Sequence, residues 1–83
     1  SDTIRGDYPI GVTKVKSTGK YSTQVKRKRL GTYHSSSSSA EEAFFKYKKV
    51  KEDYIKYLAD LYKDGLDEKV YNALYAYEVE ITD

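Results

Sequence analysis

Between Gln24 and Arg29 the chain sets an amide, two ammonium groups and two guanidinium groups within six positions, as Gln24, Lys26, Arg27, Lys28 and Arg29. A guanidinium can grip guanine O6 and N7 bidentately, an amide can do the same for adenine N6 and N7, and ammonium groups suit phosphate oxygens. This cluster belongs to a longer stretch, Tyr8 to Ala40, that contains no acidic residue and also holds Lys14, Lys16 and Lys20. That stretch carries +7, residues 1–7 carry −1, and the seven bases and eleven acids after Ala40 leave −4, so the net +2 conceals a polarised molecule. Summed cations on one surface attract polyanions over roughly a Debye length. The plainer alternative is a solvated, lysine-rich loop.

Other chemistries find few residues to work with. His34 is the only histidine and there is no cysteine, so neither a two-histidine metal site nor a thiolate site can be assembled within the chain. As a lone strand-end histidine, His34 reads as a surface residue or a phosphate neighbour. The serines between Ser22 and Ser39 have no acid beside them in the sheet region, as a triad would require. Gly6, Gly11, Gly19, Gly31 and Gly65 are scattered and form no phosphate-binding loop. The expectation is no catalytic residue, no metal, no cofactor and no small-molecule substrate.

These side chains need a scaffold, and 83 residues allow one small domain that buries about 60% of its unfolded surface. With no Trp or Met and two Phe, ten tyrosines supply much of the bulk; each ring packs well but its hydroxyl wants a partner. No apolar run reaches the roughly 18 residues of a membrane span, and nothing resembles a secretory leader, so a soluble, intracellular protein is expected.

Ile10 and Val12 alternate with Gly11 and Thr13, which predicts a first strand over Ile10 to Val15 and a turn at Ser17-Thr18-Gly19. Alternation resumes at Tyr21, with Tyr21, Thr23 and Val25 on one face and Ser22, Gln24 and Lys26 on the other. A tight turn at Arg27-Lys28 would set Val25 opposite Leu30 and Lys26 opposite Arg29, with a third strand over Arg29 to Tyr33. The run Ser35 to Ser39 reads as a flexible connector, except that Ser39 and Glu42 have capping-box spacing. Ala40, Ala43, Phe44, Tyr47, Tyr54, Leu58, Leu61 and Tyr62 then recur at helical spacing. Gly65 ends that helix, and Asp67 caps a second with Val70, Ala73, Leu74 and Tyr77 on one side. The interleaved acids and lysines of the long helix read as a solvated face with spaced ion pairs.

The expected fold is therefore α+β: a three-stranded antiparallel sheet packed on one long amphipathic helix, followed by a short second helix. Residues 1–9 are expected to be a linker or N-terminal arm, 10–34 the sheet, 35–38 a serine linker, 39–64 the long helix and 67–77 the short helix. One helix covers one sheet face. Period-2 geometry then sends Thr13, Val15, Ser22, Gln24, Lys26 and Arg29 to the other face, with Arg27 at the hairpin tip. Small sheets enter the major groove of B-DNA but not the deep, narrow one of A-form RNA. Duplex DNA is the expected partner.

Gly11-Val12 opening a strand, Lys20-Tyr21 opening the next, and Leu30-Gly31-Thr32-Tyr33 followed by Glu41-Glu42-Ala43 resemble the plant ethylene-response-factor, or AP-two, DNA-binding domain. The helical half, with Ala43-Phe44, Tyr47-Lys48, Lys69-Val70-Tyr71, Ala73-Leu74 and the ending Tyr77 to Asp83, is similar to the carboxyl-terminal domain of phage HNH homing endonucleases. The resemblance covers nearly the whole chain from Pro9. It implies a sheet in the major groove with the helix behind it, and it carries DNA-facing positions onto Thr13, Val15, Gln24, Lys26, Arg27 and Arg29. Thr13 and Val15 stand where the plant domains have arginines and Arg29 where they have tryptophan, so the plant target sequence does not transfer. The candidate DNA-binding residues are then Thr13, Lys14, Val15, Lys16, Lys20, Ser22, Gln24, Lys26, Arg27, Lys28 and Arg29. The resemblance further implies a monomeric targeting domain, phage-encoded and working in the bacterial cytoplasm, whose parent protein supplies the HNH nuclease module. Two other readings stand beside it: the arm-site domain of a tyrosine integrase, and a tyrosine-rich protein-interaction module built on Tyr54, Tyr57, Tyr71, Tyr75 and Tyr77.

Overall fold

The computed structural model describes residues 8–81; most of the expected N-terminal arm, residues 1–7, lies outside them. Strands β1 (Val12–Val15), β2 (Lys20–Arg27) and β3 (Gly31–Ser37) precede the 22-residue helix α1 (Ala40–Leu61), a single 3-10 turn (Lys63–Gly65) and the nine-residue helix α2 (Glu68–Ala76). The strands form one antiparallel sheet in the order β1-β2-β3. The α+β architecture is thus the one expected, with a long helix first and a short one second.

The β2–β3 register differs from expectation, with consequences for the exposed face. The turn is not the two-residue one: the Leu30 N–H donates to the Arg27 carbonyl at 3.0 Å, and Lys28, Arg29 and Leu30 form the loop. Arg29 takes φ 80° and Gly31 φ 84°, and the ladder resumes with Arg27 opposite Gly31, Lys26 opposite Thr32 and Val25 opposite Tyr33. Val25 therefore pairs three positions beyond the expected Leu30. An odd slip turns every side chain of a strand over. Leu30 is spent on the turn and lies exposed, Tyr33 faces the helix, and Thr32 and His34 face away.

A second correction concerns the serine run. Ser35, Ser36 and Ser37 are not a linker but the end of β3, paired with Thr23, Ser22 and Tyr21. Ser37 is buried at the end of β3. The connection to the helix is left to Ser38 and Ser39.

Ser39 caps α1 as its spacing predicted, its Oγ accepting the Glu42 N–H at 3.1 Å. The return contact is displaced by one residue: Glu42 Oε1 accepts the Ser38 N–H at 3.1 Å and the Ser38 hydroxyl at 3.2 Å. The Ser38 backbone bond, then its hydroxyl and the charge of Lys46, hold the Glu42 carboxyl below the usual carboxylate range. Helix α1 lies against one side of the sheet, where Val12, Thr23, Val25, Ala43 and Phe44 are all buried. The buried Thr23 hydroxyl is satisfied by the Ala43 carbonyl at 3.0 Å, tying the middle of β2 to the first turns of the helix.

The core is closed from the far end of the chain. Val79, beyond α2, is buried with Val12, Ala43 and Phe44, and its backbone is held on both sides: its N–H donates to Glu52 Oε2 at 2.8 Å, and its carbonyl accepts from Lys48 Nζ at 3.0 Å. Lys48 and Glu52 pair with each other at 2.6 Å. Helix α2 lies on the distal half of α1. Tyr71 and Leu74 are its half-buried residues; of the side expected from spacing only Leu74 is among them, while Val70, Ala73 and Tyr77 are exposed, as is the ring of Tyr75. The Tyr71 and Tyr75 hydroxyls donate to Asp60 Oδ1 and Oδ2 at 2.7 and 2.6 Å. These bonds pull the Asp60 carboxyl down and push the Tyr71 phenol up to about 12.

Candidate nucleic-acid interface

The sheet face turned away from α1 carries Thr13 and Val15 from β1, Lys20, Ser22, Gln24 and Lys26 from β2, and Thr32, His34 and Ser36 from β3, as alternation and pairing require. The pairing arranges them in rows across the sheet: Val15 beside Lys20, Thr13 beside Ser22 beside Ser36, Gln24 beside His34, and Lys26 beside Thr32. All but Val15 and Ser22 are exposed. The Ser22 hydroxyl donates to the Thr13 carbonyl at 3.3 Å and so is partly engaged within the sheet.

Charge is distributed along this face, not spread evenly. Lys20 and Lys26 stand at the two ends of β2, six residues and hence about 20 Å apart, and the positions between them are neutral. Lys16, in the β1–β2 turn, adds a cation to the first end, and Lys28 and Arg29, in the β2–β3 turn, add two to the second. No carboxylate interrupts the face, because none exists between Tyr8 and Ala40.

Two of the predicted site residues are turned elsewhere. Lys14 alternates to the helix side, where its Nζ stands 5.7 Å from the centre of the Tyr21 ring. Arg27 also lies on the inner side, and its guanidinium folds back over the hairpin: Nε donates to the Gly31 carbonyl at 3.0 Å and Nη2 to the Leu30 carbonyl at 3.2 Å. Arg27 therefore braces the turn that displays Lys28 and Arg29. Arg29 itself is not on β3 opposite Lys26 but at the left-handed position of that turn, exposed. Thr13, Val15, Ser22, Gln24 and Lys26 occupy the outer face as expected.

Thr32, His34 and Ser36 were missed as members of this face. The missing signal was the glycine at position 31, which accommodates a positive φ where the ladder restarts; reading it as the first strand residue after a three-residue loop sets the parity of β3. Among the described residues no group of three or more His, Asp or Glu is placed to hold a metal ion, and no helix is long and apolar enough to cross a membrane. Comparison with known protein families, curated proteins and solved structures found no match.

Proposed function

We propose that this chain binds double-stranded DNA by laying the outer face of its sheet in the major groove. The observation that carries the reading is the acid-free outer face with a neutral, hydrogen-bonding middle and cations at both ends. Three strands about 4.8 Å apart span about 10 Å, comparable with a major groove about 12 Å wide. Terminal lysines and the turn cations then hold phosphates, while the central amide, imidazole and hydroxyls lie over base edges. The resemblance noted above favours the same orientation, with α1 outside the groove, and a role as the targeting module of a phage homing endonuclease whose nuclease domain lies elsewhere. On the tyrosine-rich side the Tyr71 and Tyr75 hydroxyls are bonded to Asp60 and the Tyr54 and Tyr57 rings stack on each other, so much of their bonding capacity is used within the chain, although the Tyr75 and Tyr77 rings are exposed.

Charge reversal separates this reading from nonspecific attraction to a basic protein. Lys20→Glu and Lys26→Glu should each weaken duplex binding at least tenfold in fluorescence anisotropy, whereas Lys69→Glu, on α2, should change it little. Equal losses from all three would overturn the placement of the interface.

A further inference from the structure

Within the outer face, one cross-strand pair sets an amide beside an imidazole. Gln24 and His34 are directly opposite each other on β2 and β3, both exposed, between Lys20 and Lys26 and one row from the pair of Lys26 and Thr32. Cβ atoms of directly opposed residues lie about 4.5–5.5 Å apart, between one and two base-pair steps of about 3.4 Å, so two such side chains can address the same or adjacent base pairs. Gln24 offers an amide donor and acceptor suited to adenine N6 and N7. His34 offers a ring N–H donor and, in its neutral form, a ring nitrogen acceptor. Charge at this position would favour any phosphate; paired donors and acceptors distinguish one base edge from another.

We propose that His34, together with Gln24, is a specificity-determining residue that reads one base pair beside the one read by Gln24. This rests on the DNA-binding reading above. The odd slip of β3 is what brings the imidazole to this face: in the register first expected from the sequence it would point at the helix. An exposed imidazole paired across the ladder with an amide, on a strand that itself carries no Lys or Arg, is placed for base edges.

The test uses the full chain and duplexes selected from a randomised library by the wild type, by His34→Ala, by His34→Gln and by Gln24→Ala. Thermal unfolding would verify that each variant is folded; as exposed outer-face positions they should be. The expected result for His34→Ala is loss of preference at one position by about tenfold, an unchanged dependence of affinity on salt, and retained preference elsewhere. Gln24→Ala should relax the neighbouring position, and His34→Gln should shift the preferred base at the first. A uniform loss on all sequences, with a shallower salt dependence, would make His34 a phosphate contact and overturn the inference. So would unchanged selection by both His34 variants. If instead the wild type selects nothing and shows no salt-dependent duplex affinity, the DNA-binding reading itself fails.

Discussion

Gly11, Gly19 and Gly31 share a left-handed backbone, with φ of 77°, 71° and 84°, yet they differ in what surrounds them, and that difference makes a sharp test of how the sheet is seated on α1. A Cβ added at Gly19 or Gly31 would meet nothing within 4 Å, whereas one added at Gly11 would overlap ring carbons of Tyr47 on α1. Alanine at Gly19 or Gly31 should therefore cost only the left-handed conformation, about 1–2 kcal/mol. At Gly11 the same cost is joined by overpacking against the ring, about 1–3 kcal/mol more, for about 2–5 kcal/mol together. A domain of this size has about 4–12 kcal/mol in all, and 1 kcal/mol moves Tm by about 4–8 °C. Gly11→Ala should thus lower Tm by at least about 10 °C, more than either companion, in thermal unfolding followed by circular dichroism. If Gly11→Ala costs no more than Gly19→Ala, Tyr47 does not pack on the start of β1 and the seating of the sheet described above is wrong.

Arg29→Gly removes a side chain from a left-handed position, so stability should hold within about 1 kcal/mol or rise, while duplex affinity falls by about 1–3 kcal/mol if the guanidinium meets a base; a loss of both together would contradict a role in display. Glu52→Ala removes the acceptor of the Val79 N–H and should release Val79, costing about 1–3 kcal/mol and exposing the last residues to proteolysis, with unchanged protection as the contrary result. Burial raises the Glu52 carboxyl, but the Lys48 and Val79 hydrogen bonds together hold it below its ordinary value. Its contribution is therefore present above the unfolded value near 4.3 and lost as pH falls through the lower folded one; acid unfolding of Glu52→Gln should be less steep than that of the wild type. Tyr71 works in the other direction: with its phenol pushed up to about 12 by Asp60, its contribution is intact below about pH 10 and lost as pH rises toward the folded value. Asp60 also raises the Tyr75 phenol through its hydrogen bond, so Asp60→Asn should bring two late tyrosine ionisations, read by ultraviolet difference absorbance, back toward the ordinary range; an unmoved titration curve would mean the Asp60 bonds do not form.

The parts of the fold visible in the sequence were those with a local cause. Ser39 before Glu42 marks a helix start because the cap is a bond across three residues, and Asp67 marks the start of α2 through a bond to the Lys69 N–H; Gly65, read as the end of the long helix, instead closes the 3-10 turn that follows its last residue, Leu61. The face of β2 was legible from its own alternation. The hairpin was not, because its pairing depends on turn geometry: an apolar Leu30 was assigned to the core, yet the loop consumes it, and the left-handed position falls to Arg29 where glycine is usual. The serines were read as a linker because a homopolymeric serine run has the composition of a flexible connector; they extend β3 because Tyr21, Ser22 and Thr23 take them as ladder partners. Arg27 looked free in the sequence, since nothing local indicates that its guanidinium would find the carbonyls of Leu30 and Gly31. The contact of Val79 with Lys48 and Glu52 spans about thirty residues and leaves no local trace.

The central claim is that the outer face of the sheet meets the phosphates of duplex DNA, and the dependence of affinity on salt tests it most directly. Five cations are free to do so on this face and its turns: Lys16, Lys20, Lys26, Lys28 and Arg29, with Lys14 and Arg27 turned inward. Each neutralised phosphate contributes about −0.9 to the slope of log affinity against log salt, so the full chain should show a slope of about −4 to −5 on duplex DNA. Removal of Lys20 and Lys26 together should bring it to about −3. A wild-type slope near zero, or one that the double variant leaves unchanged, would contradict the account.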